Sequence, residues 1–438
     1  MGIDSKEPED NSWYLLATLF GVPVNMQDER RDKNRRAWNR YFAANLDDET
    51  RARLVKEKGH YKEELEPFSP EELQGVEEAF AKRKGTPKNV ALPASNIRID
   101  FSNVQFNRKI DFSHHIFIEC LFKEANFFDR ADFRDATFLE GANFASVRFR
   151  DEAYFIRATF FRQADFKEKA IFSADAYFLN ANFIGYSNFA GATFFGLFDL
   201  REAVFSSGVD LGGATFAKDG TFDDVRFSRE VSFARATFCK SVSFVNAKMQ
   251  GETSFEDATF KTKAPKFFGA KLHQGTVCRG IRLWPVPKKT DDPGPFIDAY
   301  ACLKLEMDRL KKHEDELDFF ALELQSRRVL LGPWGWPIWV YGLFSDYGRS
   351  YWRPLGALCV VAALGAAAFW YFDVRPFGEA LGLSAANTLN VFGFRRDFSL
   401  AIDTPLAWLK VLAAVQTILG TILLFLFGLG IRNKFRMK

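Results

Sequence analysis

The sequence predicts a multidomain chain: a long β-solenoid flanked by helical segments, then a C-terminal hairpin of two membrane-spanning helices. Three observations carry this. Phenylalanine is heavily over-represented, with 50 residues in 438, and from Phe101 onward it recurs every five or six positions. Two C-terminal stretches are long, apolar and nearly free of charge. Clustered Trp and Tyr precede the first of them.

Composition narrows the function class. A net charge of +3 gives no bulk attraction for nucleic acid, so none is expected as a partner. The five cysteines, at 120, 239, 278, 302 and 359, show no CxxC spacing and read as small apolar groups in a reducing compartment. The five histidines form no ligand pair, and His313-Glu314-Asp315-Glu316-Leu317 lacks the second histidine of a zinc-protease helix. No metal and no cofactor is expected. The stretch MGIDSKEPEDNS is acidic and polar, unlike a secretory signal. No nucleophile–base pair or phosphate loop appears, so the chain is not expected to be an enzyme.

The aromatic ladder occupies residues 97–280. Its inward series runs Phe101, Phe106, Phe112, Phe117, Phe122 and onward to Phe255, Phe260, Phe267 and Leu272, with 32 positions in all. A helix turning about 100° per residue scatters such a series, and a flat strand sends it to both faces. A coil that turns a corner after each repeat puts every Phe inside, stacked on the next coil. Ala or another small residue usually stands two places before, as in Ala136-Thr137-Phe138 and Ala236-Thr237-Phe238.

These Ala-Xaa-Phe units resemble the pentapeptide-repeat family, in the variant whose units alternate five and six residues. The resemblance implies a right-handed quadrilateral β-helix with Phe central and Ala at the corner. Four faces per turn make the ladder about eight coils, a rod of roughly 38 Å at a spacing of about 4.8 Å. Leu200, Leu211, Met249 and Leu272 replace Phe, and Gly220 and Val225 replace Ala. Some members of the family mimic DNA through an acidic surface. Residues 97–280 carry 24 Lys or Arg against 23 Asp or Glu, which argues against such mimicry.

Residues 1–92 read as a helical cytoplasmic domain. Trp13, Leu16, Leu19 and Phe20 form one apolar stripe and Trp38, Tyr41 and Phe42 another. Ser69-Pro70-Glu71-Glu72 opens a helix to about residue 84. The domain is placed to cap unpaired strand edges at the start of the solenoid. Beyond it, residues 291–331 predict a linker helix, continuous over about 296–331. Its seam of Phe296, Tyr300, Leu303, Met307, Leu310, Leu317, Ala321 and Leu324 would be buried by the solenoid or by a neighbouring subunit. Residues 332–354, with Trp334, Trp336, Trp339, Tyr341 and Trp352, form an interfacial segment.

Residues 355–438 hold the membrane module. Spans at 355–372 and 406–431 are flanked by Arg349, Arg353, Arg432, Lys434, Arg436 and Lys438. The positive-inside rule therefore puts both termini in the cytoplasm of a cell inner or plasma membrane. The connecting loop contains an apolar stretch, 380–389, too short to span; a helix dipping back into the membrane fits it. The stretch from Ala380 to Phe394 resembles the pore helix and filter of two-helix potassium-channel-like modules, which assemble as fourfold rings. On that resemblance Thr388, Leu389, Asn390, Val391, Phe392, Gly393 and Phe394 form the selectivity filter. Arg395 and Arg396 charge the pore mouth. Gln416, Thr417, Gly420, Thr421 and Gly428 line the pore or hinge the second span. Family filters read Thr-Val-Gly-Tyr-Gly, whereas Val391-Phe392-Gly393-Phe394-Arg395 keeps one glycine. The negative end of a pore helix favours cations and the two arginines favour anions. Two functions follow: a homotetrameric ion channel with the solenoid as assembly or gating platform, or a membrane-anchored scaffold without conductance. Membrane lipid and further copies of the chain are the expected partners.

Overall fold

A computed structural model describes residues 6–25, 27–85, 91–280, 284–373, 376–389 and 407–436. The chain divides into two compact units, Met1–Pro285 and Val286–Lys438.

The first unit opens with helices α1 (Ser12–Ala17), α2 (Glu29–Ala43), α3 (Asp48–Lys58) and α4 (Pro70–Lys84). Ser69 and Glu72 close the reciprocal capping box that starts α4, and Gly85, left-handed at φ +70°, ends it. Trp13, Leu16, Leu19, Trp38 and Phe42 are buried as expected. Phe20 is instead 43% exposed, because α1 stops at Ala17 and the helical face no longer holds it.

Thirty two-residue strands follow among the described residues. β1 (Ile99–Asp100), β2 (Gln105–Phe106), β3 (Ile110–Asp111) and β4 (Ile116–Phe117) make the first turn, and β30 (Thr259–Phe260) is the last strand. Each pairs in parallel with the strand four places on, giving four sheets of 8, 8, 7 and 7 strands. The result is a quadrilateral solenoid of about seven turns. The expected eighth turn decays. The step from Phe260 to Phe267 is seven residues long and contains Pro265, which cannot donate to a ladder. Only single bridges such as Ser243 to Lys266 and Lys248 to Lys271 continue there.

Every inward position from Phe101 to Phe260 is at most 2% exposed. Rings one turn apart stack: Phe138 on Phe160 at 4.5 Å with planes 1° apart, and Phe160 on Phe183 at 4.8 Å and 2°. Where Leu200 replaces Phe, the small-residue position holds Phe198, which is fully buried and 4.1 Å from the Phe194 ring. Its register partner in the next turn is Gly220, where a Cβ would lie 3.3 Å from the Phe222 ring. Two departures from the repeat thus compensate each other within one core layer.

The five–six alternation has a backbone cause. Corners five residues long carry a left-handed residue two places after the inward one: Asp135 (φ 59°), Ser146 (57°), Arg157 (57°) and Asn180 (58°). Each closes a tight turn, as in Ala136 N–H to Phe133 O at 3.2 Å. The six-residue corner from Phe138 to Phe144 has no such residue. The rule breaks at 117–122, where none is left-handed, and at 166–172, where an added residue leaves both Glu168 and Lys169 so.

The N-terminal helices cap the first turn, as the sequence predicts. Asn39 of α2 replaces a strand for β4: it accepts from Ile116 N–H and donates to His114 O, both at 3.0 Å. Trp38 Nε1 donates to Ile116 O at 2.8 Å. Lys6 bridges the edge of β2, accepting from Gln105 N–H at 3.0 Å. Asn11 donates to Asp100 O of β1 at 2.8 Å, and Arg31 pairs with Asp111 of β3 at 2.8 Å. Backbone groups of β1, β2 and β4 are thereby bonded, while at β3 the contact is between side chains.

In the second unit, residues 291–331 depart from the expected continuous helix. They form a hairpin of α5 (Gly294–Arg309) and α6 (His313–Leu331). The chain reverses at Lys311, left-handed at φ 59°, so the expected seam folds onto itself. Tyr300 of α5 stacks on Phe319 of α6 at 6.5 Å. Among the described residues four more α-helices follow: α7 (Trp336–Ser345), α8 (Trp352–Phe372), α9 (Phe377–Thr388) and α10 (Ala407–Arg436).

Candidate functional site

Two of these helices, α8 and α10, are long and apolar enough to cross a membrane, and most of their surface is exposed. On α10 the buried residues Leu409, Ala413, Gln416, Gly420, Leu423, Leu426, Gly430 and Asn433 form one stripe at steps of three and four. Val411, Val415, Ile418, Ile422 and Phe425 stay exposed on the other faces. Such surface suits hydrocarbon and not water. Trp334, Trp336, Trp339 and Trp352 are exposed before and at the start of α8, and α7 buries only Ser345.

The short helix α9 packs against both. Ala380 and Leu383 join Phe369 of α8 and Leu409 and Ala413 of α10 in one apolar cluster. One turn further on, the contact becomes polar. Ser384 Oγ donates to Ala362 O of α8 at 2.6 Å. Gln416 Nε2 has three acceptors within reach of its two hydrogens: Ser384 Oγ at 2.5 Å, Thr388 Oγ1 at 2.9 Å and Ser384 O at 3.2 Å. Glycines permit the approach: a Cβ at Gly365 would strike Gln416 and Ser384, and one at Gly420 would strike the Thr388 carbonyl. Asn387 is fully buried, with neither amide atom hydrogen-bonded among the described residues. Polar side chains so placed are interhelical glue in a membrane.

The solenoid presents a different surface. Some of its acids pair locally with bases, as in Arg157 with Asp135 at 2.6 Å, Arg98 with Glu119 at 2.9 Å and the buried Asp199 with Arg201 at 2.7 Å. The bases and acids of residues 97–280 also nearly balance, 24 against 23. Residues 122–168 match the family model for pentapeptide repeats (9 copies). No curated protein and no solved structure matches the chain. The matched stretch lies wholly within the solenoid and covers about two of its turns. It contains Phe138, Phe144 and Phe160, whose stacking defines the core.

Of the residues singled out by sequence, Thr388 sits in the polar knot and Leu389 closes α9 through its N–H to Ala385 O at 2.8 Å. Asn390, Val391, Phe392, Gly393, Phe394, Arg395 and Arg396 lie outside the described residues. Gln416 and Gly420 face α9. Thr417 and Thr421 bond back to their own helix, at Ala413 O and Thr417 O. Gly428 faces open space, whereas a Cβ at Gly430 would lie 3.0 Å from Tyr351. Sequence reasoning missed the roles of Ser384 and Asn387. The spacing of Ala380, Leu383, Ser384, Asn387 and Thr388, at i, i+3, i+4, i+7 and i+8, was the available signal.

Proposed function

We propose that the chain is an integral membrane protein that assembles as a homotetramer around an ion pathway, with the pentapeptide-repeat solenoid as a cytoplasmic assembly or gating platform. One observation carries the reading: α9 is fastened between α8 and α10 by Ser384, Thr388 and Gln416. A hairpin that only tethers a domain has no use for a third apolar helix between its spans. A short helix held at that position is what a re-entrant pore helix requires, with protein burying its end. Its carbonyl end, at Thr388, leads directly into the residues proposed as the filter, 388–394, with Arg395 and Arg396 at the mouth. Partners on this reading are membrane lipid and three further copies of the chain, and the function is not enzymatic.

Single-particle imaging of the detergent-solubilised full chain tests the assembly. Four copies about an axis toward which α9 points support the reading. A monomer or dimer overturns it and leaves the anchored scaffold.

A further inference from the structure

The reversal at Lys311 brings chemistry together that no linear spacing shows. Asp308 comes from the last turn of α5, and His313 and Glu316 from the first turn of α6. One ligand atom from each lies within 4.8 Å of the other two, and His313 Nδ1 is 3.1 Å from Glu316 Oε2. A cation already attends them. Arg436, in the last turn of α10, places Nη2 at 3.6 Å from Asp308 Oδ1 and 3.7 Å from Glu316 Oε2. Both distances are too long for hydrogen bonds, so the guanidinium serves as a loose counter-charge. Lys311 Nζ stands 4.0 Å from Asp308 Oδ1.

We infer that Asp308, His313 and Glu316 form a binding site for a divalent transition metal, for which Arg436 is the built-in competitor. One imidazole nitrogen and two carboxylate oxygens are a donor set that zinc and its neighbours accept, with water completing the shell. Metal–ligand bonds of about 2.0–2.2 Å draw these atoms closer than they now stand. The side chains are partly exposed at the closed end of a hairpin, where small rotations suffice. A doubly charged ion at the centre repels a guanidinium a few ångströms away. Metal binding and the Arg436 contact therefore exclude each other, and loading the site frees the end of α10 from the α5–α6 hairpin. The inference stands whether or not the chain conducts ions.

Calorimetric titration of the full-length protein in detergent with Zn²⁺ tests it, comparing wild type, Arg436→Gln and His313→Ala. Saturable binding of one ion per chain is expected, tightened about tenfold or more in Arg436→Gln by removal of the competing charge. His313→Ala, which removes one of three ligands, weakens binding about tenfold or more. Arg436 is exposed at a helix end, so that variant keeps the test open if His313→Ala fails to fold. Absence of binding in both wild type and Arg436→Gln overturns the inference. So does equal affinity in those two proteins, which would place the metal elsewhere, for example at a cysteine.

Discussion

Gln416 of α10 donates to the Ser384 hydroxyl of α9 at 2.5 Å, and that hydroxyl donates in turn to Ala362 O of α8 at 2.6 Å. Three helices are thereby joined through two side chains. Interhelical hydrogen bonds of this kind contribute about 0.6–2 kcal/mol in membrane proteins. Gln416→Leu should lower the melting temperature of the detergent-solubilised protein, followed by tryptophan fluorescence. Gly420→Val should lower it further, since its side chain meets the Thr388 carbonyl. Unchanged melting in both would mean that α9 is not held as described.

The Phe core predicts a sharp contrast within the 1–285 unit. Phe160→Ala should destabilise by about 3–5 kcal/mol, because Phe138 and Phe183 stack on its two faces and cannot collapse into the cavity. Arg157→Ala loses an exposed ion pair with Asp135 and should change stability by about 1 kcal/mol or less. Urea unfolding distinguishes them.

Glycines in the solenoid should respond by position. At Gly185 a Cβ would strike the Arg162 backbone of the preceding turn, so Gly185→Ala should be strongly destabilising. At Gly191 the space is open but φ is +68°, and Ala should cost about 1 kcal/mol. Gly141 has open space and no left-handed φ, so Gly141→Ala should be neutral or slightly stabilising.

Acid should loosen the junction of the N-terminal helices with the first turns. His60 and His115 are buried there, and burial pushes both from the usual 6.5 down to about 4. His60 Nε2 lies 3.0 Å from Thr137 Oγ1 of the solenoid. The folded state keeps the two rings neutral while the unfolded chain takes up protons below about 6.5. Their contribution is thus complete above pH 6.5 and is lost as pH falls toward 4. Unfolding midpoints of the 1–285 unit between pH 7.5 and 4.5 should fall over that window, with a shallower slope in His60→Gln.

Much of the fold was legible because one residue type, Phe, marks nearly every inward position. The Phe period excludes helix and flat strand, and the cap on α4 is written in Ser69 and Glu72. The hairpin at 310–312 was hidden for a physical reason. Lys311 takes a left-handed conformation without glycine, and the apolar spacing on its two sides continues as though one helix ran through. Missing that turn also concealed the meeting of Asp308 with His313 and Glu316. Among the C-terminal helices the residue types of the polar knot were visible in sequence. Their pairing required knowing that α9 lies against Gly365 and Gly420.

Current across a planar bilayer containing the purified full chain tests the central claim most directly. The account predicts a conductance that Gly393→Val abolishes without disturbing assembly, since a β-branched residue cannot adopt the backbone conformations open to glycine in a narrow filter. No current at any voltage, or a current that Gly393→Val leaves unchanged, would contradict it.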